Sequence, residues 1–169
     1  MTTVTKIQGV NPIVAMPFTP QGEVDFMSFR RLLAHLSNVG VNGLTLFGIA
    51  SEFPKLDDSE RLQLAEIFIA ELANKSVFRA LSVTDHSTDL AVRRARRYQS
   101  MGADALMLLP PFFLQPSLAS VQAHIAAVLE AVTIPVMVQY APGETGFPVT
   151  AAQLAEMAKR YPHAVFKIE

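Results

Sequence analysis

Apolar residues gather in six short runs along this chain: 12–18 (PIVAMPF), 43–48 (GLTLFG), 77–84 (VFRALSVT), 104–111 (DALMLLPP), 134–140 (IPVMVQY) and 164–169 (AVFKIE). They recur at intervals of roughly 30 residues, the length of a strand, a helix and two short loops. The runs are apolar on both faces, which predicts strands of a parallel sheet covered by helices.

Between the runs the period changes. In 25–40 (DFMSFRRLLAHLSNVG), Phe26, Phe29, Leu33 and Leu36 recur at threes and fours, and Gly40 supplies a stop. A second helix is predicted in 56–73, with Asp57 and Asp58 as cap candidates and Glu60 in its first turn. A third starts at Ser87 or Thr88 and closes on Gly102; a fourth can cap at Ser117, and a fifth, within 148–162, at Thr150.

Six strands alternating with five helices, and no linker or low-complexity stretch, predict a single domain over 1–169. Either a doubly wound sheet or a (β/α)8 TIM barrel could follow. The first strand–helix turn lacks the G-x-G-x-x-G of a dinucleotide fold, and no Walker-type phosphate loop occurs, which favours the barrel. A whole barrel takes about 250 residues. The expectation is therefore the N-terminal part of a (β/α)8 barrel, about six strands and five helices, in a longer chain.

Composition narrows the function classes. A net charge of -1 gives no electrostatic reason to expect nucleic acid or an anionic membrane, and the basic run RRARR at 93–97 reads as a solvated helix face. There is no cysteine, so disulfide and thiolate chemistry are excluded, and no apolar run approaches a membrane span. A cytoplasmic protein is expected. The four histidines, at 35, 86, 124 and 163, show no metal-ligand spacing, so no metal is expected. His35 and His124 fall within predicted helices as surface or packing residues, and only His86, in a strand–helix loop, is a site candidate. The prolines and phenylalanines at 110–113 read as a rigid turn.

Candidate chemistry centres on Lys167. Strand alternation puts Ala164, Phe166 and Ile168 on a face apolar enough to lie under helices, and Val165, Lys167 and Glu169 on the other. That second face would point into the barrel, with the charged pair at the C-terminal end where barrel active sites lie. An amine among apolar walls is depressed in pKa and can attack a carbonyl as a Schiff-base nucleophile. A structural Lys167–Glu169 pair, or a lysine reaching solvent, fits the spacing equally. On the nucleophile reading, Glu169 turns to other partners or to solvent.

Two loops would share that end. Gly48, Ile49, Ala50, Ser51 and Glu52 follow the second strand, where small residues beside a hydroxyl could present backbone N–H groups to a carboxylate. The bland alternative is a helix-entry loop with Glu52 solvated or paired. After the fifth strand come Gln139, Tyr140, Glu144 and Thr145; Tyr140 could move a proton, although packing is the commoner role of such a tyrosine.

The segments PFTPQGEVDF, GVNGLTLFG, SEFPKLDDSER, GADALMLLPPFF, IPVMVQYAPGETG and FKIE, in this order and spacing, resemble the class I Schiff-base lyases, a family that includes dihydrodipicolinate synthase and N-acetylneuraminate lyase. The resemblance covers nearly the whole chain. It implies a (β/α)8 barrel almost twice this length, usually a homotetramer, with Lys167 as the Schiff-base lysine on the sixth strand. No cofactor is implied.

Departures from the family pattern bear on the activity. Dihydrodipicolinate synthases carry G-T-T-G-E where this chain has Gly48-Ile49-Ala50-Ser51-Glu52. Their relay tyrosine falls at Gln139, with Tyr140 one position later on the other face. Their carboxylate-gripping arginine becomes Glu144, and their second relay tyrosine falls at Phe112 or Phe113. A typical dihydrodipicolinate synthase is thus not expected. The pattern is closer to members resembling 2-keto-3-deoxy-L-arabinonate dehydratase. This implies a small-molecule 2-keto acid substrate, dehydrated through an iminium on Lys167, with Gln139 and Glu52 as further catalytic candidates. Gly48, Ile49, Ala50, Ser51 and Tyr140 are the substrate-binding candidates. A retro-aldolase using the same iminium, or a non-catalytic barrel without its proton relay, are the alternatives.

Overall fold

The computed structural model describes residues 7–146 and 149–169. Five strands are present among them: β1 (Gly43–Leu46), β2 (Phe78–Val83), β3 (Ala105–Leu108), β4 (Val136–Tyr140) and β5 (Ala164–Ile168). Their order in the sheet follows the chain, β1-β2-β3-β4-β5, with parallel pairing of β1 to β2, β3 to β4 and β4 to β5. Helices α1 (Phe26–Asn38), α2 (Asp58–Leu72), α3 (Thr88–Met101), α4 (Leu118–Ala131) and α6 (Ala151–Arg160) are the five predicted, and a four-residue helix, α5 (Pro142–Thr145), is added after β4. Pro148, at the start of the last predicted helical segment, lies outside the described residues.

The run at 12–18 is not a strand. Ile13 makes one parallel bridge to Thr45, Val14 N donates to Thr45 O at 2.8 Å, and Phe18 makes a separate antiparallel bridge to Val24. Pro12 and Pro17 have no N–H to give, so pairing cannot extend beyond that single step.

Local signals set the helix starts. Asp57 and Glu60 form a reciprocal capping box at α2, and Thr150 with Gln153 forms another at α6. Ser117 caps α4 by accepting from Ser120 N at 3.2 Å. After α1 and α3 the chain turns through Gly40 (φ 84°) and Gly102 (φ 98°), where a side chain would be strained.

The described residues divide into two compact units, one running up to Ser82 together with Met101–Ala103, the other comprising Val83–Ser100 and Asp104–Glu169. In the first, α1 packs on α2 through a core including the fully buried Phe29, Leu33, Leu64 and Phe68. Truncating Phe68 to alanine in the full-length protein is expected to cost about 3–5 kcal/mol, through lost burial and a residual cavity, read as a lower urea midpoint at unchanged slope. In the second unit β3 is fully buried, but β5 is not covered as predicted: Ala164 is buried and Ile168 is 62% exposed. Among the described residues β5 is an end strand, paired with β4 alone. No described helix is long and apolar enough to cross a membrane.

Candidate active site

The register of β4 on β5 places Gln139 opposite Lys167 and Tyr140 opposite Ile168. Opposed residues of neighbouring strands point to the same side, and consecutive ones to opposite sides. Gln139 and Lys167 therefore share a face with Met137 and Val165, and Tyr140 belongs to the other. There Tyr140 lines an apolar cavity with Val121, Ile125, Leu154 and Met157, and its hydroxyl accepts from Val149 N at 3.3 Å. The structure does not bring Tyr140 together with Lys167.

Glu169 lies two residues beyond Lys167 on the same face, and it does not turn away. Its carboxylate forms an ion pair with Lys167 Nζ and accepts a hydrogen bond from Gln139 Nε2 at 2.9 Å. Two long side chains at positions i and i+2 of a strand project side by side, and at the strand end they meet. Both are about one-third exposed, 32% for Lys167 and 34% for Glu169. Gln139 is only 5% exposed, and its Oε1 is buried with no hydrogen-bond partner among the described residues. Such an acceptor is costly unless a ligand or water supplies a donor. The triad thus combines an amine, a carboxylate in contact with it, and an amide that orients the carboxylate while offering an acceptor of its own. The Lys167–Glu169 pair that the i, i+2 spacing allows is thus the arrangement observed, and the hydrogen bond from Gln139 is what no spacing in the sequence signals.

The turn after β1, in the other compact unit, is more committed than its small residues suggested. Ile49–Ser51 form a turn of 3-10 helix in which Ser51 N donates to Gly48 O and Glu52 N to Ile49 O. The Ser51 hydroxyl, fully buried, donates to Val14 O at 2.6 Å. Glu52 is exposed and ion-paired with Lys55. Two of the N–H groups considered for a substrate carboxylate, and the serine proton, are therefore already in use. The side chain of Glu144 lies outside the described residues.

His86 packs edge-on against Phe112, with ring centroids 4.9 Å apart. Asp85 beside it is held by two hydrogen bonds from Arg94, at 2.7 and 2.9 Å. His124 is a packing residue, 2% exposed, with Nδ1 3.1 Å from Thr88 Oγ1. Burial pushes its imidazole below the ordinary 6.5, Asp85 opposes that shift and His86 adds to it. Below 6.5 the unfolded chain then binds more protons than the folded one. Stability from this group is present above about pH 6.5 and declines as pH falls below it, by at most about 1.4 kcal/mol per pH unit. Urea titrations of the full-length protein from pH 7.5 to 5.5 are expected to show this decline, and His124→Leu to flatten it. No group of three or more metal-ligating side chains occurs among the described residues.

Residues 6–166 match the Dihydrodipicolinate synthetase family. A 4-hydroxy-tetrahydrodipicolinate synthase of Corynebacterium aurimucosum is 33% identical over 150 residues, 89% of this chain and 49% of its own. The chain thus spans about half the length of the curated relatives it matches. Among solved structures, YagE of E. coli K12, a prophage protein of the dihydrodipicolinic acid synthase family in complex with pyruvate, superposes with a TM-score of 0.84 at 26% identity, covering 92% of this chain and 52% of YagE. The 4-hydroxy-tetrahydrodipicolinate synthase of Methylacidiphilum fumariolicum SolV reaches 0.88 at 21% identity, over 96% of this chain and 54% of the other, a likeness of fold alone. Strand order and these superpositions agree on part of a (β/α)8 barrel. By the match over nearly its whole length, this chain belongs to the dihydrodipicolinate synthetase family.

Proposed function

We propose that the full-length protein is a Schiff-base lyase acting on a 2-keto acid, and that its reaction is the dehydration of a 2-keto-3-deoxy sugar acid. The observation that carries this reading is the Lys167–Glu169–Gln139 triad at the end of the β4–β5 pair. Pyruvate in the related YagE supports the substrate class.

In this scheme Glu169 accepts a proton from the Lys167 ammonium, and the amine adds to the C2 carbonyl. Glu169 returns the proton to the carbinolamine hydroxyl, which leaves as water, and an iminium forms. The iminium draws electrons from C3, and the carboxylate takes the C3 proton to give an enamine. The enamine expels the C4 hydroxyl as water with the proton that Glu169 holds, and hydrolysis frees Lys167. Glu169, held by Gln139, does the work of the missing relay tyrosines. We assign it that role ahead of Glu52, whose carboxylate is taken by Lys55. The unpartnered Gln139 Oε1 suits a substrate hydroxyl.

The test is borohydride reduction of the full-length protein with pyruvate, read by peptide mass spectrometry, followed by turnover of 2-keto-3-deoxy sugar acids. An adduct on Lys167 and release of water are expected. An adduct with carbon–carbon cleavage would make the enzyme an aldolase; no adduct would make the barrel non-catalytic.

A further inference from the structure

The side chain of Tyr140 has no place on the face that bears Lys167, yet its main chain reaches the same machinery. The β4–β5 register ends on the pair Tyr140–Ile168, and one step beyond it Glu169 N donates to Tyr140 O at 3.0 Å. Glu169 is therefore gripped twice, by consecutive residues of β4. Gln139 Nε2 holds its carboxylate at 2.9 Å, and the Tyr140 carbonyl holds its main chain. Among the described residues β5 is an end strand, and Ile168 beside this rung is 62% exposed. A strand end with so little packed over it frays readily unless its partner is fixed.

The tyrosine side chain supplies that fixing. It lies towards α4 and α6, bordering an apolar cavity with Val121, Ile125, Leu154 and Met157. Its hydroxyl accepts from Val149 N at 3.3 Å, beside Thr150, the N-cap of α6. A tyrosine suits such a place because its ring is apolar while its tip can take a hydrogen bond. The helix layer anchors the ring, and the ring anchors the carbonyl that Glu169 uses.

We propose that Tyr140 is a positioning residue: its ring, held by α4 and α6, fixes the carbonyl that sets Glu169 against Lys167. That Glu169 is the base rests on the function proposed above. Tyr140 touches no reacting atom, so its loss should slow proton transfer at C3 and leave adduct formation on Lys167 in place.

Amide hydrogen exchange and proton transfer, both measured on the full-length protein, decide it. In Tyr140→Ala the Glu169 amide is expected to exchange roughly tenfold faster, while amides of β3 keep the wild-type rate. Exchange of the pyruvate methyl protons with deuterated water should slow by roughly 10–100-fold, the cost of a base displaced by about an ångström. The fraction trapped by borohydride at saturating pyruvate should be unchanged. In the Glu169→Gln background Tyr140→Ala should bring no further loss, because the two residues act through one carboxylate. Tyr140→Phe keeps the ring and gives up only the bond to Val149, so it should restore most of both rates. Tyr140→Leu serves if Tyr140→Ala does not fold. Wild-type exchange of the Glu169 amide overturns the anchor, and Tyr140→Phe behaving like Tyr140→Ala overturns the ring as its source. A faster amide with unaltered methyl exchange, or losses that add in the double variant, overturns the link to the base. A wild-type protein that traps no pyruvate refutes the Schiff-base reading instead, and the amide alone then decides the role of Tyr140.

Discussion

Lys167→Arg is expected to leave no borohydride-trapped pyruvate adduct and no turnover in the full-length protein, with its circular dichroism and urea midpoint close to wild type. Arginine keeps the positive charge and can still pair with Glu169, so the end of β5 retains its electrostatics. What it lacks is a lone pair. A guanidinium stays protonated at any working pH, and the carbonyl carbon meets no nucleophile. The loss should therefore be complete rather than graded. The side chain is already about one-third exposed, which leaves room for the larger head group. Trapping that persists in Lys167→Arg would place the nucleophile elsewhere and end the assignment.

The second large effect separates proton transfer from adduct formation. Glu169→Gln should still trap pyruvate, though more slowly, because the lysine remains. Exchange of the pyruvate methyl protons with deuterated water, followed by proton NMR, should fall by about 10²–10⁴-fold, the range for losing a positioned general base. Glutamine keeps the size and the hydrogen bond to Gln139 but cannot take a proton at neutral pH. Gln139→Leu should reduce exchange less, since it removes the bond that orients the carboxylate and spares the base. Wild-type exchange in Glu169→Gln would assign the role to another group.

Much of this protein was readable from its residues in order. Period changes and cap residues located five helices and five strands, because amphipathic spacing and capping are local properties of ten or fifteen residues. Where a local rule competed with apolarity, at Pro12 and Pro17, the missing N–H groups won and the first predicted strand shrank to a single bridge. Alternation alone also set Tyr140 on the face opposite Gln139 and Lys167, as the register shows. The partners of the polar groups were a different matter. Ser51 spends its proton on Val14, 37 residues away, and Gln139 reaches Glu169 across 30. Those bonds depend on which strand lies beside which, and no local pattern encodes that. The sequence by itself determined that Lys167 and Glu169 would share a face. Only the tertiary structure decided that they meet, because β4 brings Gln139 alongside and its amide fixes the carboxylate against the amine.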